Sequence, residues 1–275
     1  MSSDRTPPAG CATRPVVRFE RGKRMEDDDR LAEEVPVAMH FDGAPFAVMM
    51  TTPADLEDFA RGFALTEGKI DNVLDIADIE VREVFEGIVV DVRTTGGATE
   101  SSRRGDTSEA RELPGRSGCG ICGSRELEDV VRHPAPVTGG PSLTVDAIER
   151  ALEGLRAQQP INAFTGSVHA AAWALPDGNI VAVREDVGRH NALDKLIGGM
   201  LAGGTDPRAG FLVITSRASY EMVTKAAVAG IATVVAISAP TALAVHLAAD
   251  CGVTLVGFAR PGRFNVYSRP DRIAD

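Results

Sequence analysis

Apolar and polar positions alternate from Val35 to Phe41 and again from Phe46 to Thr51, on either side of Asp42-Gly43. That pattern predicts a β-hairpin. The period then changes. Leu56, Phe59, Ala60 and Phe63 recur at i, i+3, i+4 and i+7, the stripe of an amphipathic helix. Thr52 is the expected N-cap with Pro53 at the first helical position, and Gly68 marks the end. Ile76 to Val84 and Ile88 to Thr94 read as a second strand pair turning near Glu86-Gly87, and Val16 to Phe19 as a short first strand. These elements predict a small α+β domain over residues 15–95.

From Thr94 to Arg116 the chain is rich in Gly, Ser, Thr, Arg and Glu and shows no period, so residues 96–140 are expected to be linker and mobile loop. Thr144 caps a helix with Ile148, Ala151, Leu152 and Leu155 on one face, which stops before Pro160. Strands and helices then alternate. Strands are predicted at 168–175 and 180–185 around Pro176-Asp177-Gly178-Asn179, then at 211–215, 233–237 and 253–258. Helices are predicted at 188–201, 220–230 and 240–250. This succession with short links predicts a three-layer α/β domain over residues 141–275, with a largely parallel sheet.

Composition narrows the classes. The 275 residues are 44% hydrophobic and 25% charged, as in a globular chain with a sizeable core. No apolar run approaches the roughly 20 residues needed to cross a bilayer, so no membrane association is expected. Residues 1–14 lack an apolar signal region and read as a disordered Ser/Pro/Gly tail. Four cysteines do not make a disulfide framework, and a reducing cytoplasm is the expected location. The net charge of -10 argues against a nucleic-acid partner. Glu26-Asp27-Asp28-Asp29 reads as a solvated acidic loop.

Two features carry chemistry. The first is Gly118-Cys119-Gly120-Ile121-Cys122-Gly123, a CxxC flanked by glycines. Thiols at that spacing bind a metal, form a disulfide or carry sulfur as a persulfide, and the glycines suit a swinging arm. Arg116 and Arg125 nearby would favour the thiolate. The second is the set of loops at predicted strand ends: Asp186 to Lys195, Ser216-Arg217-Ala218-Ser219, Ser238-Ala239-Pro240-Thr241 and Ala259 to Asn265. Helix starts and arginines suit one large anionic ligand there, such as a nucleotide. The candidate contacts in these loops are Arg189, His190, Ser216, Arg217, Ser219, Lys225, Ala259, Arg260, Pro261, Gly262 and Arg263. Simpler readings stand beside them: Ser216, Ser219 and Ser238 to Thr241 serve equally as helix caps, His169 as a core histidine, His246 as structural and Cys251 as a buried small residue.

The segment Arg184-Glu185-Asp186-Val187-Gly188-Arg189-His190-Asn191-Ala192-Leu193-Asp194-Lys195 resembles the signature of the formate dehydrogenase accessory sulfurtransferases, the FdhD/NarQ family. The CxxC, Ser216 to Lys225, Ser238 to Thr241 and Gly257 to Tyr267 agree with that family in order and spacing. The resemblance implies a sulfurtransferase that takes persulfide sulfur from a cysteine desulfurase and passes it to the molybdenum or tungsten bis-molybdopterin guanine dinucleotide cofactor. The client would be formate dehydrogenase. It further implies that Cys119 bears the persulfide, that Cys122 is its CxxC partner, and that Phe258 to Arg263 contact the guanine dinucleotide. A cytidine-deaminase-like C-terminal domain and a homodimer are implied too. Zinc-dependent deamination is not expected, because no H-x-E occurs and Gly118 precedes Cys119 where deaminases carry proline. No resident metal is expected, since a structural zinc site would need two further ligands. A thioredoxin-like role would want the CxxC directly after a strand. A non-catalytic cofactor-binding chaperone remains the alternative.

Overall fold

A computed structural model describes residues 7–96 and 134–274. The chain opens with a hairpin of β1 (Cys11–Glu20) and β2 (Lys23–Ala32), paired antiparallel from end to end. Arg21 and Gly22 turn it with φ of 49° and 79°, the double positive φ of a type I′ turn. Two expectations are corrected here. Residues 11–14 belong to a strand and not to a tail, and the acidic run Glu26 to Asp29 lies in β2 and not in a loop. The short strand predicted at Val16 to Phe19 lies within β1, whereas β2 is almost wholly exposed and has no buried face to pattern.

The next four strands, β3 (Val35–Phe41), β4 (Ala44–Thr51), β5 (Ile76–Val84) and β6 (Gly87–Thr94), form a sheet of order β4-β3-β6-β5. The predicted Asp42-Gly43 turn is present, with φ of 51° and 79°. Helix α1 (Leu56–Thr66) covers one face, burying Phe59, Ala60 and Phe63 against Val37, Met39, Val90 and Val92. It begins later than Thr52-Pro53 predicts, with Asp55 as N-cap in the left-handed region and no side-chain cap bond. Thr52 is engaged elsewhere: its N–H donates to Asp186 and its hydroxyl accepts from Val187 N.

The remainder builds a six-stranded sheet from β8 (His169–Ala174), β9 (Ile180–Asp186), β10 (Phe211–Ile214), β11 (Thr233–Ala236), β12 (Thr254–Arg260) and β13 (Arg263–Ser268). A minor pairing joins β7 (Leu143–Thr144) to β14 (Ile273–Ala274). The order is β13-β12-β11-β10-β8-β9. Only β10–β11 and β11–β12 pair in parallel, whereas β8–β9, β8–β10 and β12–β13 are antiparallel. The sheet is therefore mixed, not largely parallel. Strand β13 follows β12 through a tight turn, where the sequence analysis places only loop.

Helix α2 (Val145–Ala157) packs Ile148, Ala151, Leu152 and Leu155 on one face of this sheet. Thr144 caps it, its hydroxyl accepting from Ala147 N at 3.2 Å. A short helix α3 (Pro160–Thr165) follows, which periodicity does not reveal. The opposite face carries α4 (Arg189–Ala202), α5 (Tyr220–Val228) and α6 (Ala242–Asp250), closing over Leu212, Ile214, Val234 and Leu255. Helix α1 crosses α4 with almost no gap. A Cβ at Gly62 would stand 1.8 Å from the Asp194 carbonyl oxygen, and one at Gly198 1.8 Å from that of Asp58. Glycine is required at both positions because backbone meets backbone. Among the described residues no helix is long and apolar enough to cross a membrane.

Candidate functional site

Strand β9 runs antiparallel to β8, and β8 antiparallel to β10, so β9 points the same way as β10, β11 and β12. Their carboxyl ends thus gather along one edge of the sheet, which is where ligands collect in α/β folds. Backbone bonds lace the loops together. Ala218 N donates to Ala239 O at 3.2 Å, Thr241 N to Ala218 O at 3.0 Å and Phe258 N to Ser238 O at 3.1 Å. The Arg260 guanidinium donates to the Ile237 carbonyl, and Glu149 from α2 accepts from Gly262 N at 2.8 Å.

Most of the expected contacts lie on this edge. Phe258 is half exposed in a left-handed conformation, φ 53°, while Ala259 beside it is buried. Arg217, Arg260, Pro261, Gly262 and Arg263 are exposed, and none of the three arginines has an ion pair among the described residues. Ser219 is the N-cap of α5 without a side-chain capping bond, and its hydroxyl is buried without a partner. Ser216 is buried and donates to Arg217 O. The Ser238 to Thr241 segment works as a helix start: Thr241 accepts from Ala244 N at 3.3 Å.

His190, at the first turn of α4, is buried with Nε2 2.7 Å from Glu221 Oε2 on α5, off the line of a well-formed hydrogen bond. The neighbouring Arg189 has its Nε buried without a partner. His169 sits partly exposed at the edge rather than in the core. Burial, then the Arg189 and His190 charges, push its pKa below the ordinary imidazole range, so it is neutral near pH 7.

Lys225 lies elsewhere. Its ammonium is buried among Asp194 at 2.9 Å, Thr66 at 2.8 Å and Glu67 at 3.1 Å. Burial opposes the charge, but the two carboxylates outweigh it and hold the lysine above its usual range. The structure places Lys225 in a cluster joining α1, α4 and α5, away from the edge.

Side chains of the twelve-residue segment Arg184 to Lys195 are engaged in the same way. Arg184 donates to Asp58 Oδ2 from Nη2 at 2.7 Å and from Nε at 3.0 Å. Glu185 accepts from Ile161 N and Asn162 N, both at 2.8 Å, and burial raises its pKa against those bonds. Asp186, fully buried, receives the Lys195 ammonium at 2.6 Å, Thr52 N at 3.0 Å, Gly188 N at 2.7 Å and the Thr51 hydroxyl. Lys195 also donates to Thr52 O at 2.9 Å, and Asn191 to Met50 O at 2.8 Å. These bonds hold the end of β4 and the start of α1 onto β9 and α4. Thr52 is part of this lock and so is unavailable as a helix cap.

Cys119 and Cys122 fall outside the described residues. Cys251 is buried at the end of α6, as expected, and Cys11 is partly buried in β1. Among the described residues no cluster of His, Cys, Asp and Glu is arranged to hold a metal ion. Glu149 has no signal in the sequence, because its bond to Gly262 N depends on α2 packing beside the β12–β13 turn.

Fold and edge together define a mixed α/β protein whose principal sheet gathers arginine-bearing loops and helix starts along one edge. The chain belongs to the FdhD/NarQ family, whose model matches residues 32–274. It is 49% identical over 273 residues to sulfur carrier protein FdhD of Xanthomonas euvesicatoria pv. vesicatoria, covering 98% of this chain and 95% of the relative. The protein of the same name from Cupriavidus necator is 47% identical over 272 residues, covering 99% and 93%. A crystal structure of a protein assigned as a formate dehydrogenase accessory protein, from Desulfotalea psychrophila, is similar with a TM-score of 0.74. The two are 27% identical, over 96% of this chain and 99% of that one.

Proposed function

We propose that this protein is a sulfurtransferase of formate dehydrogenase maturation. It accepts persulfide sulfur from a cysteine desulfurase and transfers it to the molybdenum or tungsten bis-molybdopterin guanine dinucleotide cofactor. The observation that carries the reading is similarity over nearly the whole chain to proteins named sulfur carriers, in a chain with a glycine-flanked CxxC. In this reading residues 141–275 form a cytidine-deaminase-like body that holds the guanine dinucleotide against Phe258 to Arg263, Arg189 and Ser219. Residues 15–95 form the smaller unit, and two copies assemble.

The chemistry balances with the two thiols of the chain. The Cys119 thiolate attacks the terminal sulfur of the donor persulfide; a new S–S bond forms on Cys119, the old one breaks, and the desulfurase leaves as its thiolate. Cys122 then attacks Cys119 Sγ. A Cys119–Cys122 disulfide forms, the outer sulfur departs as sulfide to the cofactor, and a cellular thiol must reduce the disulfide before the next cycle. Exposed arginines on the sheet edge supply donor forks for the phosphates of the acceptor.

Intact-mass analysis after incubation with desulfurase and cysteine tests the reading on wild type, Cys119→Ala and Cys122→Ala. The expected result is a reductant-sensitive gain of one sulfur atom in wild type and Cys122→Ala and none in Cys119→Ala. Sulfur held on Cys122 when Cys119 is intact would reverse the assigned order. No gain in any variant, with guanosine diphosphate still bound, would make the protein a cofactor-binding chaperone.

A further inference from the structure

The hairpin of β1 and β2 is left over by the reading above, and its free edge has a particular charge order. Around Met25 the chain reads Arg21-Gly22-Lys23-Arg24 on one side and Glu26-Asp27-Asp28-Asp29 on the other. Reversed upon itself about Met25, this strand lays Arg24 on Glu26 and Lys23 on Asp27, while Asp28 falls opposite Gly22 and Asp29 opposite Arg21 of the turn. Opposite charges meet at both pairs that flank Met25. A sequence that is its own antiparallel complement fits one occupant, a second copy of itself, because a two-fold axis presents the same patch from both sides.

The backbone permits this pairing at β2 and blunts it at β1. Glu20 and Lys23 close a two-residue turn and form a hydrogen-bonded pair, so alternation turns Arg24, Glu26 and Asp28 outward on β2. On β1 the outward position opposite Asp28 is Pro15, which has no N–H and blunts that edge. On β2, Arg24 of one copy can exchange both backbone bonds with Glu26 of the other, leaving Met25 facing Met25 in a non-hydrogen-bonded pair.

The hairpin also has reason to be covered. A lone two-stranded ribbon is marginal in water, and three or more strands with an apolar face are needed for stability. Here Phe19 is 71% exposed, Val17 46% and Met25 41%. Within the chain Asp27 pairs with Arg18, and Arg24 lies 3.6 Å from Glu26. Arg21, Lys23, Asp28 and Asp29 have no ion pair among the described residues. Joining two hairpins makes four strands, with Phe19 and Val17 of each copy on one face beside the Arg24–Glu26 rungs.

We propose that the β2 edge is the homodimer interface, two copies pairing antiparallel about Met25. The proposal rests on the two-copy assembly in the reading above and not on its sulfur chemistry. Sedimentation analysis of the full chain tests it with two charge variants, Lys23→Glu/Arg24→Glu and Glu26→Lys/Asp27→Lys. Wild type is expected to be a dimer, each variant alone a monomer, and an equimolar mixture of the two a heterodimer. Thermal unfolding verifies that both variants are folded. Met25→Cys supplies the register: the facing Cα atoms of such a pair stand about 4.5 Å apart, within disulfide reach. Mild oxidation should therefore give a cross-linked dimer above the wild-type background. A wild-type monomer would overturn both the interface and the assembly. Dimers persisting in each variant alone, or a mixture that stays monomeric, would overturn the interface only.

Discussion

The segment from Arg184 to Lys195 and the turn from Phe258 to Arg263 are both dense in polar groups, and the fold uses them in opposite ways. In the first, Arg184, Glu185, Asp186, Asn191, Asp194 and Lys195 all spend their side chains on partners inside the protein. In the second, Arg263 is exposed with no ion pair among the described residues, while Arg260, also exposed, turns its guanidinium back onto the Ile237 and Ala259 carbonyls. The inward side chains of that run lock β9 and α4 to the end of β4 and the start of α1, whereas the turn leaves Arg263 exposed.

The contrast breaks most severely at Lys195. Lys195→Met leaves the Asp186 carboxylate buried without its cation, and a loss of about 3–5 kcal/mol in unfolding free energy is expected from urea titration. Adding Asp186→Asn should recover part of that loss, since the uncompensated charge goes with it. If Lys195→Met unfolds at the wild-type midpoint, the lock is not what joins the two units.

A smaller effect is expected where the units touch through backbone. Gly62→Ala and Gly198→Ala each drive a methyl into a carbonyl oxygen of the facing helix. Such overpacking typically costs about 1–3 kcal/mol, and α1 and α4 must separate to relieve it. Circular-dichroism melting of each variant and of the pair would show it, and the pair should be less than additive because one separation relieves both clashes.

Least of all should stability respond at the exposed turn. Arg263→Ala should change unfolding by no more than about 0.5 kcal/mol. Its effect belongs in ligand affinity, where losing one arginine–phosphate contact of about 1.4 kcal/mol would raise the Kd for guanosine diphosphate roughly tenfold by calorimetry. An Arg263 variant that melts early yet binds normally would erase the contrast from the other side.

Much of the architecture was legible before any coordinate. The Asp42-Gly43 turn, the apolar stripe of α1, the Thr144 cap and the succession of strands and helices after His169 all follow from local periods and turn chemistry. What was not legible has a common cause. Strand β2 is almost wholly exposed, so only the β1 half of the hairpin was legible, at Val16 to Phe19, and α3 is too short for a period. The antiparallel partners β8, β9 and β13 look the same in sequence as parallel ones, because strand direction is chosen by connections and neighbours.

The sequence by itself determined which stretches form elements, which family the chain resembles and that a CxxC is the one obvious nucleophile pair. Those properties depend on neighbours within a few residues, or on residue identity alone. Only tertiary structure decided that Lys225 is a buried counter-ion, that Thr52 braces Asp186 instead of capping α1, and that four strand ends share one edge. Each of those depends on groups 31 to 159 residues apart, or on the direction in which a strand enters the sheet. A lysine in the sequence is the same whether its ammonium meets a ligand or an aspartate; the packing of α1 against α4 and α5 makes that choice.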